Sequence, residues 1–541
     1  MSAAAVPRLA NFVNGAFVQP ADGAYIPNFN PATSKTICEI PASKRADIDA
    51  AVVAAQKALP AWKALSYEQR AEFLDRIADG ITRRSEEMSR VESEDSGKAL
   101  STARRIDIPR AVSNFKFFAG AVRHDELSCT HMADAFNYSV RTPVGIAGLI
   151  TPWNLPIYLL SWKVAPALAM GNVVIAKPSE ITPRSASMLA EICAEVGLPA
   201  GVLNIVHGLG ADAGQALCEH PDVNLISFTG GTVTGRRVAA TAAPLFKKLS
   251  LELGGKNATV VFDDCDFELT VKGAARAAFT NAGQVCLAGS RIFVQDTLYD
   301  RFVAALTKEV LLLRCGDPAT SDFGCVSSLE HRAKIESYVA KAVADGAQVL
   351  CGGKRPDLPA PFDAGAFYEP TLLAGLPPTH ACSVEEIFGP VATLHRFSSE
   401  AEVVAYANNT KYGLAGSVWT ADLARAHRVA REWTTGMVSV HRSDKAGGGR
   451  RALPCVWAAG DGARKASLTD FGSSLLCFLH RCAVCASWVN CWLHRDLRVP
   501  FGGVKESGMG TEGGKHSLEF YSCIKNICVH HGKTPTPQPK L

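Results

Sequence analysis

The sequence predicts an α/β fold built on parallel sheets. Short apolar runs bounded by turn residues alternate with amphipathic stretches of helical period, the rhythm of strand–helix–strand units. Glycine-rich turns follow several of the runs. The length of 541 residues allows two to four domains at about 150 residues each.

The elements follow in order. Residues 48–65 and 69–81 carry apolar side chains three and four apart with charges between them, which predicts two amphipathic helices. The helical pattern continues unbroken over 101–118. Residues 137–143 read as a short strand, and the uncharged run 145–150 as a buried one. A second buried strand at 172–176 precedes a helix at 184–195. Strands at 201–206 and 225–228 come next. A second α/β region opens near Asn257, with strands at 258–262, 291–294, 348–350 and 391–394. No internal repeat is visible.

Composition excludes several classes. Net charge is +4, from 56 basic and 52 acidic residues, and no basic block marks a nucleic-acid partner. No clean run of about 18 apolar residues predicts a membrane helix; the stretch 475–489 is interrupted by His480 and Arg481. Seventeen cysteines without a disulfide-like rhythm read as reduced thiols. Residues 1–8 lack an apolar signal core, so a cytoplasmic address is expected.

Cys286 lies among small residues, Gly283, Ala288 and Gly289, which leave room for a substrate. A thiolate there would be an effective nucleophile toward an electrophilic carbon. Glu252 sits between Leu251 and Leu253 ahead of Gly254 and Gly255, a setting that raises a carboxyl pKa and suits a base. Asn154 stands in the rigid loop Pro-Trp-Asn-Leu-Pro after a strand. Lys177 and Glu180 follow the strand at 172–176, where parallel sheets bind ligands. The turns at Gly208, Gly210 and Gly214, and at Gly230, Gly231 and Gly235, do not keep strict G-x-G-x-x-G spacing.

The motif Asn-Ala-Gly-Gln-Val-Cys286, with Leu-Glu252-Leu-Gly-Gly, resembles the catalytic signatures of the NAD(P)-dependent aldehyde dehydrogenases. Glu386-Ile-Phe-Gly-Pro, and Pro500-Phe-Gly-Gly with Ser507-Gly508, are similar to two further signatures of that family. The resemblance implies an aldehyde dehydrogenase-like fold: a Rossmann-type NAD-binding domain (1–122 and 144–255), a catalytic domain (256–505) and a small β oligomerisation arm (123–143 and 506–530). Residues 531–541, rich in proline, would be a disordered tail.

The resemblance also assigns roles. Cys286 is the nucleophile, Glu252 activates the deacylating water, and Asn154 donates to the oxyanion. NAD is the implied cofactor, held by the loop Ile150, Thr151, Pro152 and Trp153 and by Lys177, Ser179 and Glu180. Gly210 and Gly214 continue the site, with Phe228, Thr229, Gly230, Gly231 and Thr234. Leu253, Gly254, Glu386 and Phe388 complete it. A carboxylate at Glu180 would repel a 2′-phosphate and favours NAD over NADP. Where Gly231 stands, the family usually has serine. A homodimer or homotetramer is implied, through strands near 138–141 and 519–525.

Within the family, stretches 107–118, 155–163 and 490–497 are most similar to the 2-aminomuconic semialdehyde dehydrogenases of tryptophan and kynurenine breakdown. In that subgroup the positions matching Arg110 and Arg495 hold the substrate carboxylates, which guanidinium groups clamp in two-pronged fashion. The implied partner is therefore a small doubly acidic semialdehyde. Two alternatives stand beside it: a broader dehydrogenase for retinal, betaine-type or aliphatic aldehydes, or an impaired splice form acting as a scaffold.

Residues 439–487 break the pattern. They hold a Gly/Arg cluster and a Cys-rich apolar stretch without sustained period. Family members run continuously from a strand like 436–438 into 488–490, so the segment reads as retained intron sequence or an unusual splice form. It threatens the substrate clamp at Arg495. Cys477, His480, Cys482 and Cys485 have zinc-like residue types but only one Cys-x2-Cys pair, so no metal site is expected.

Overall fold

Runs that are apolar on both faces become the centre of the first sheet. In the computed structural model, which describes residues 6–435, 438–439 and 488–531, Ile146–Ile150 and Val173–Lys177 are buried at every position. They lie in an eight-stranded sheet with a parallel centre in the order Leu203–Ile205, Val173–Lys177, Ile146–Ile150, Leu225–Thr229 and Lys248–Glu252. Antiparallel strands close both edges: Asn11–Val13 with Ala16–Val18 on one side, Gly508–Met509 on the other. The register sets Ile150 beside Lys177 and Phe228, and Thr229 beside Glu252. The carboxyl ends of these strands therefore form one edge, where open α/β sheets bind ligands.

Helices cover this sheet. Arg45–Ala64 and Tyr67–Arg83 match the expected amphipathic pair. Tyr67–Arg83 starts in a capping box: Gln69 N donates to Ser66 Oγ, and Ser66 N donates to Gln69 Oε1. Pro156–Ala169 is buried on every side except Leu159. The expected continuous helix at 101–118 is instead interrupted. A short helix, Leu100–Thr102, runs into a π-turn, Ala103–Asp107, before the helix Ile108–Arg123. Pro109 accounts for the break, because it has no N–H to offer the Arg105 carbonyl.

The second sheet runs Gln348–Cys351, Thr371–Ala374, Val391–Phe397, Arg291–Gln295, Ala258–Val261 and Gly416–Trp419, parallel except at its first pair. Beside Gly416–Trp419, Val438 stands opposite Gly416, Trp488 opposite Ser417 and Val489 opposite Val418. The two flanks of the inserted segment thus occupy successive places in one strand. The segment itself, apart from the backbone of Ser439, lies outside the described residues, as do the tail from 532 and the zinc-like quartet. A third, antiparallel sheet pairs Ala135–Pro143 with Cys129–His131 on one side and Ser522–His530 on the other. Among the described residues no helix is long and apolar enough to cross a membrane, and all described cysteines are free thiols.

Candidate active site

The turn that carries Cys286 is built from backbone that few residues adopt. After the helix Phe267–Phe279, Asn281, Ala282 and Gly283 take φ values of 54°, 55° and 68°. A Cβ at Gly283 would fall 2.2 Å from the Gly389 carbonyl oxygen, so only glycine fits. Crossing hydrogen bonds hold the result in place. Asn154 Nδ2 donates to the Gln284 carbonyl at 2.9 Å, and Asn281 Nδ2 donates to the Asn154 carbonyl at 2.9 Å. Asn257 Nδ2 donates to the carbonyls of Cys286 and Ala288 at 2.7 and 2.9 Å. Gly255 packs so closely that a Cβ would meet the Cys286 carbonyl at 2.5 Å.

Lys98 anchors the same loop from behind. Its Nζ donates to the Asn154 carbonyl at 3.1 Å and to Asp107 Oδ2 at 2.7 Å, with Glu92 3.9 Å away. All three side chains are buried. Burial pushes the Glu92 and Asp107 carboxyls upward, and the lysine charge opposes it.

Cys286 opens into a cavity lined also by Glu252, Tyr158, Trp162, Thr280, Asn281, Arg495, Phe501 and Glu512. Burial, then the charges of Glu252 and Glu386, push the thiol up to about 12, while Arg495 pulls it down. The resting form is the thiol, and for it to act as a nucleophile a neighbouring group would have to take its proton. Glu252 ends the strand Lys248–Glu252, and its Oε1 has no hydrogen-bond partner. Burial and the nearby Glu512 raise it well above the usual carboxyl range. Glu512 differs. It accepts from Trp162 Nε1 at 2.7 Å, Lys163 Nζ at 2.9 Å and Ser250 Oγ at 3.1 Å. Burial works against its charge, but Lys163 and these donors outweigh it and leave it lowered. Two neighbouring carboxyls are thus pushed apart, one poised as a proton acceptor and one kept ionised.

Arg495 lies on the cavity wall despite the insertion upstream of it. Its guanidinium sits 4.0 Å from the Phe501 ring centroid and 4.8 Å from that of Trp162. The residue is half-buried, and its Nε and Nη2 are buried without a hydrogen bond. Arg110 is placed differently. It stands 5.4 Å over the ring of Tyr158, outside the lining itself.

The residues expected to meet a dinucleotide gather along the carboxyl edge of the first sheet. Lys177 Nζ pairs with Glu180 Oε2 at 2.8 Å, and a Cβ at Gly214 would lie 3.8 Å from the Lys177 side chain. Burial works against the Glu180 charge, but Lys177 outweighs it and holds the carboxyl below its usual value. Ser179 and Thr151 are buried beside them, and Ile150 ends its strand. Gly210 opens the π-turn Gly210–Gly214. Thr229 ends its strand, Gly230 leaves room for the Phe228 ring, and Gly231 precedes the helix Thr232–Ala242, which carries Thr234. Glu386 Oε1 accepts from Gly255 N at 2.9 Å, and a Cβ at Gly254 would strike that carboxylate at 2.2 Å. Phe388, at φ 60°, meets Trp153 edge-on at 5.3 Å, next to Pro152. Leu253 packs under Gly235. Narrow glycine contacts, a lysine–carboxylate pair and a second carboxylate on one sheet edge are the donor and acceptor set that ribose hydroxyls and a pyrophosphate require.

Sequence reasoning missed Lys98, Asn257 and Glu512, and it quoted Asn281 at the head of the Cys286 motif without giving it a role. Of the three missed, only Glu512 had a local signal: like Glu252, it precedes a Gly-Gly pair. No group of three or more His, Cys, Asp or Glu suited to a metal occurs among the described residues.

A family model described as the aldehyde dehydrogenase family matches residues 17–451 and 468–527; its gap falls inside the segment that breaks the sequence pattern. The 2-hydroxymuconic semialdehyde dehydrogenase of Pseudomonas sp. (strain CF600) is 43% identical over 530 residues, spanning 96% of this chain and 99% of that protein. The 2-aminomuconic semialdehyde dehydrogenase of Homo sapiens is 42% identical over 530 residues, spanning 97% and 98%. Among solved structures, PnpE from Pseudomonas sp. WBC-3 superposes with a TM-score of 0.86 at 36% identity, over 98% of this chain and 99% of that one. PnpE has also been solved in complex with nicotinamide adenine dinucleotide, with the same TM-score at 37% identity.

Proposed function

Because this chain belongs to the aldehyde dehydrogenase family, we propose that it oxidises an aldehyde to a carboxylic acid with NAD. The substrate class is a muconic semialdehyde, which carries one carboxylate opposite its aldehyde rather than the two expected above, with 2-aminomuconate 6-semialdehyde of tryptophan breakdown as the first candidate. One observation carries the substrate class. Arg495, on the same cavity wall as Cys286, has two buried guanidinium nitrogens without a partner, a vacancy a carboxylate fills. The named relatives act on substrates of this class.

Cys286 Sγ adds to the aldehyde carbon, and its proton passes to Glu252. One N–H of the Asn154 amide is engaged by the Gln284 carbonyl, and the other is free for the developing oxyanion. Bound NAD supplies the hydride acceptor, and loss of the hydride leaves a thioester on Cys286. Glu252 passes the thiol's proton to solvent, then takes a proton from the water that hydrolyses the thioester and returns it to the departing Cys286 sulfur, which frees the acid and the thiol. Lys177, Glu180 and Glu386 would hold the ribose hydroxyls. The strand Ser522–His530 pairs on one side only and exposes Ile524, which supports a homodimer or homotetramer built through that arm.

The test is NADH formation by the full chain with 2-aminomuconate 6-semialdehyde, 2-hydroxymuconic semialdehyde, betaine aldehyde and an aliphatic aldehyde. The acidic substrates should lead in kcat/KM by at least about tenfold; preference for betaine or aliphatic aldehydes would sink the substrate reading. A chain lacking 439–487 should be at least as active, because Val438 and Trp488 already face successive residues of one strand.

A further inference from the structure

We propose that Arg105, Lys272 and Arg276 form a cationic vestibule that gathers the carboxylate of the semialdehyde before it reaches Cys286. The inference rests on the substrate class proposed above. A second cavity backs directly onto the reaction pocket, and Thr102, Ile106, Thr280 and Asn281 line both. The two spaces share a single layer of side chains, drawn from the π-turn region and from the nucleophile's own turn.

Charge in the outer cavity is unbalanced. Arg105, Lys272 and Arg276 line it and are exposed. Among the described residues none of the three has a carboxylate partner, and the one side-chain hydrogen bond Arg105 makes is to the Ser101 carbonyl at 3.1 Å. The other charges there are already committed, save one. Lys98 is spent on Asp107, and Asp322 on Arg314 at 3.1 Å. Glu309 alone opposes the three cations.

Lys272 and Arg276 also stand four residues apart on the helix Phe267–Phe279, a spacing at which like charges repel. A bound anion relieves that repulsion. An anion entering such a concave site is concentrated at its mouth, and the field acts on the rate of capture rather than on the chemical step. Arg495 then holds the carboxylate inside, while the vestibule works outside.

The experiment compares wild type with K272Q/R276Q, and with K272E as a second variant, using 2-hydroxymuconic semialdehyde and a neutral aliphatic aldehyde over a range of salt. Both residues are exposed and free of side-chain partners, so the fold should tolerate the changes. At low salt, kcat/KM for the acidic substrate should fall about tenfold in K272Q/R276Q and further in K272E, with kcat unchanged. The gap should close at high salt, and the neutral aldehyde should show none. Equal kcat/KM and equal salt slopes for wild type and both variants would overturn the vestibule and leave the Arg495 reading standing. A wild type that takes only the neutral aldehyde would overturn the substrate reading and the vestibule together.

Discussion

The floor and the wall of the reaction pocket are built on opposite terms. On the floor every side-chain donor that positions Cys286 is engaged, although Asn281 Oδ1, Asp107 Oδ1 and Glu92 Oε2 accept nothing. Lys98 and Asn281 hold the Asn154 carbonyl, Asn154 holds Gln284, and Asn257 holds Cys286 and Ala288. On the wall, Glu252 Oε1 and two nitrogens of Arg495 are buried with no partner. A buried polar group left unpaired costs about 1–3 kcal/mol, more when charged. The floor is therefore scaffold, its donors spent on carbonyls and a carboxylate, and the wall keeps open two donors and one carboxyl oxygen for substrate and water to meet.

The largest effect should come from breaking the floor. Lys98→Met leaves Asp107 and Glu92 buried without their cation. Loss of one member of a buried ion pair costs about 3–5 kcal/mol, so the urea midpoint should fall steeply and activity with it. A midpoint unchanged from wild type would mean that the floor is not the stabilised half.

Glu252→Gln acts on the wall and should spare the urea midpoint. It should slow turnover by about 10²–10⁴-fold, the span of a lost general base. Acylation leads to the slow step, so a burst of NADH followed by a very slow steady state is expected if Glu252 serves deacylation. The pH profile follows from the raised carboxyl. The base works only when ionised, so wild-type turnover should drop as pH falls through a value above the ordinary carboxyl range. The variant should lack that limb, and a shared limb would assign the titration elsewhere.

Arg495→Leu sharpens the contrast within one residue. Its guanidinium donates no hydrogen bond from Nε or Nη2 in the free protein, so removal should leave the melting temperature unchanged or raised. KM for an acidic semialdehyde should rise about 10- to 100-fold, from lost charge-assisted hydrogen bonds. A fall in stability without a change in KM would make Arg495 part of the scaffold instead.

The same division explains what was legible beforehand. Strands such as Val173–Lys177 announce themselves because both faces are buried and the run carries no interior charge. The helix Arg184–Glu195 lies on the expected residues because one of its faces meets solvent and leaves a period. Pro156–Ala169 has no such face, and burial all round erases the helical pattern. Cys286, Glu252 and Asn154 stand in local motifs and could be named from them. Lys98 could not, since its partners at Glu92, Asp107 and Asn154 converge only in three dimensions and a lysine beside a glycine carries no local sign. The break at 103–107 was within reach, because Pro109 marks it, but the helical period on either side masked it.

The smallest effect tests the comparison at the cofactor edge. There the helix Thr232–Ala242 begins after Gly231, which offers no side-chain cap and has open space where a Cβ would point. Its first amides are thus left for a ligand, as the wall leaves Arg495. Gly231→Ser supplies an N-cap hydroxyl at a site with φ −72° and ψ 147°, backbone that serine adopts without strain. Replacing glycine by serine at an N-cap is worth only a few tenths of a kcal/mol, so the melting temperature should rise slightly. If those amides and the new hydroxyl face the NAD pyrophosphate, KM for NAD should fall by about twofold while KM for the aldehyde stays fixed. A variant that melts later but binds NAD no better would show this helix start to be scaffold, and would confine the partnerless design to the wall around Cys286.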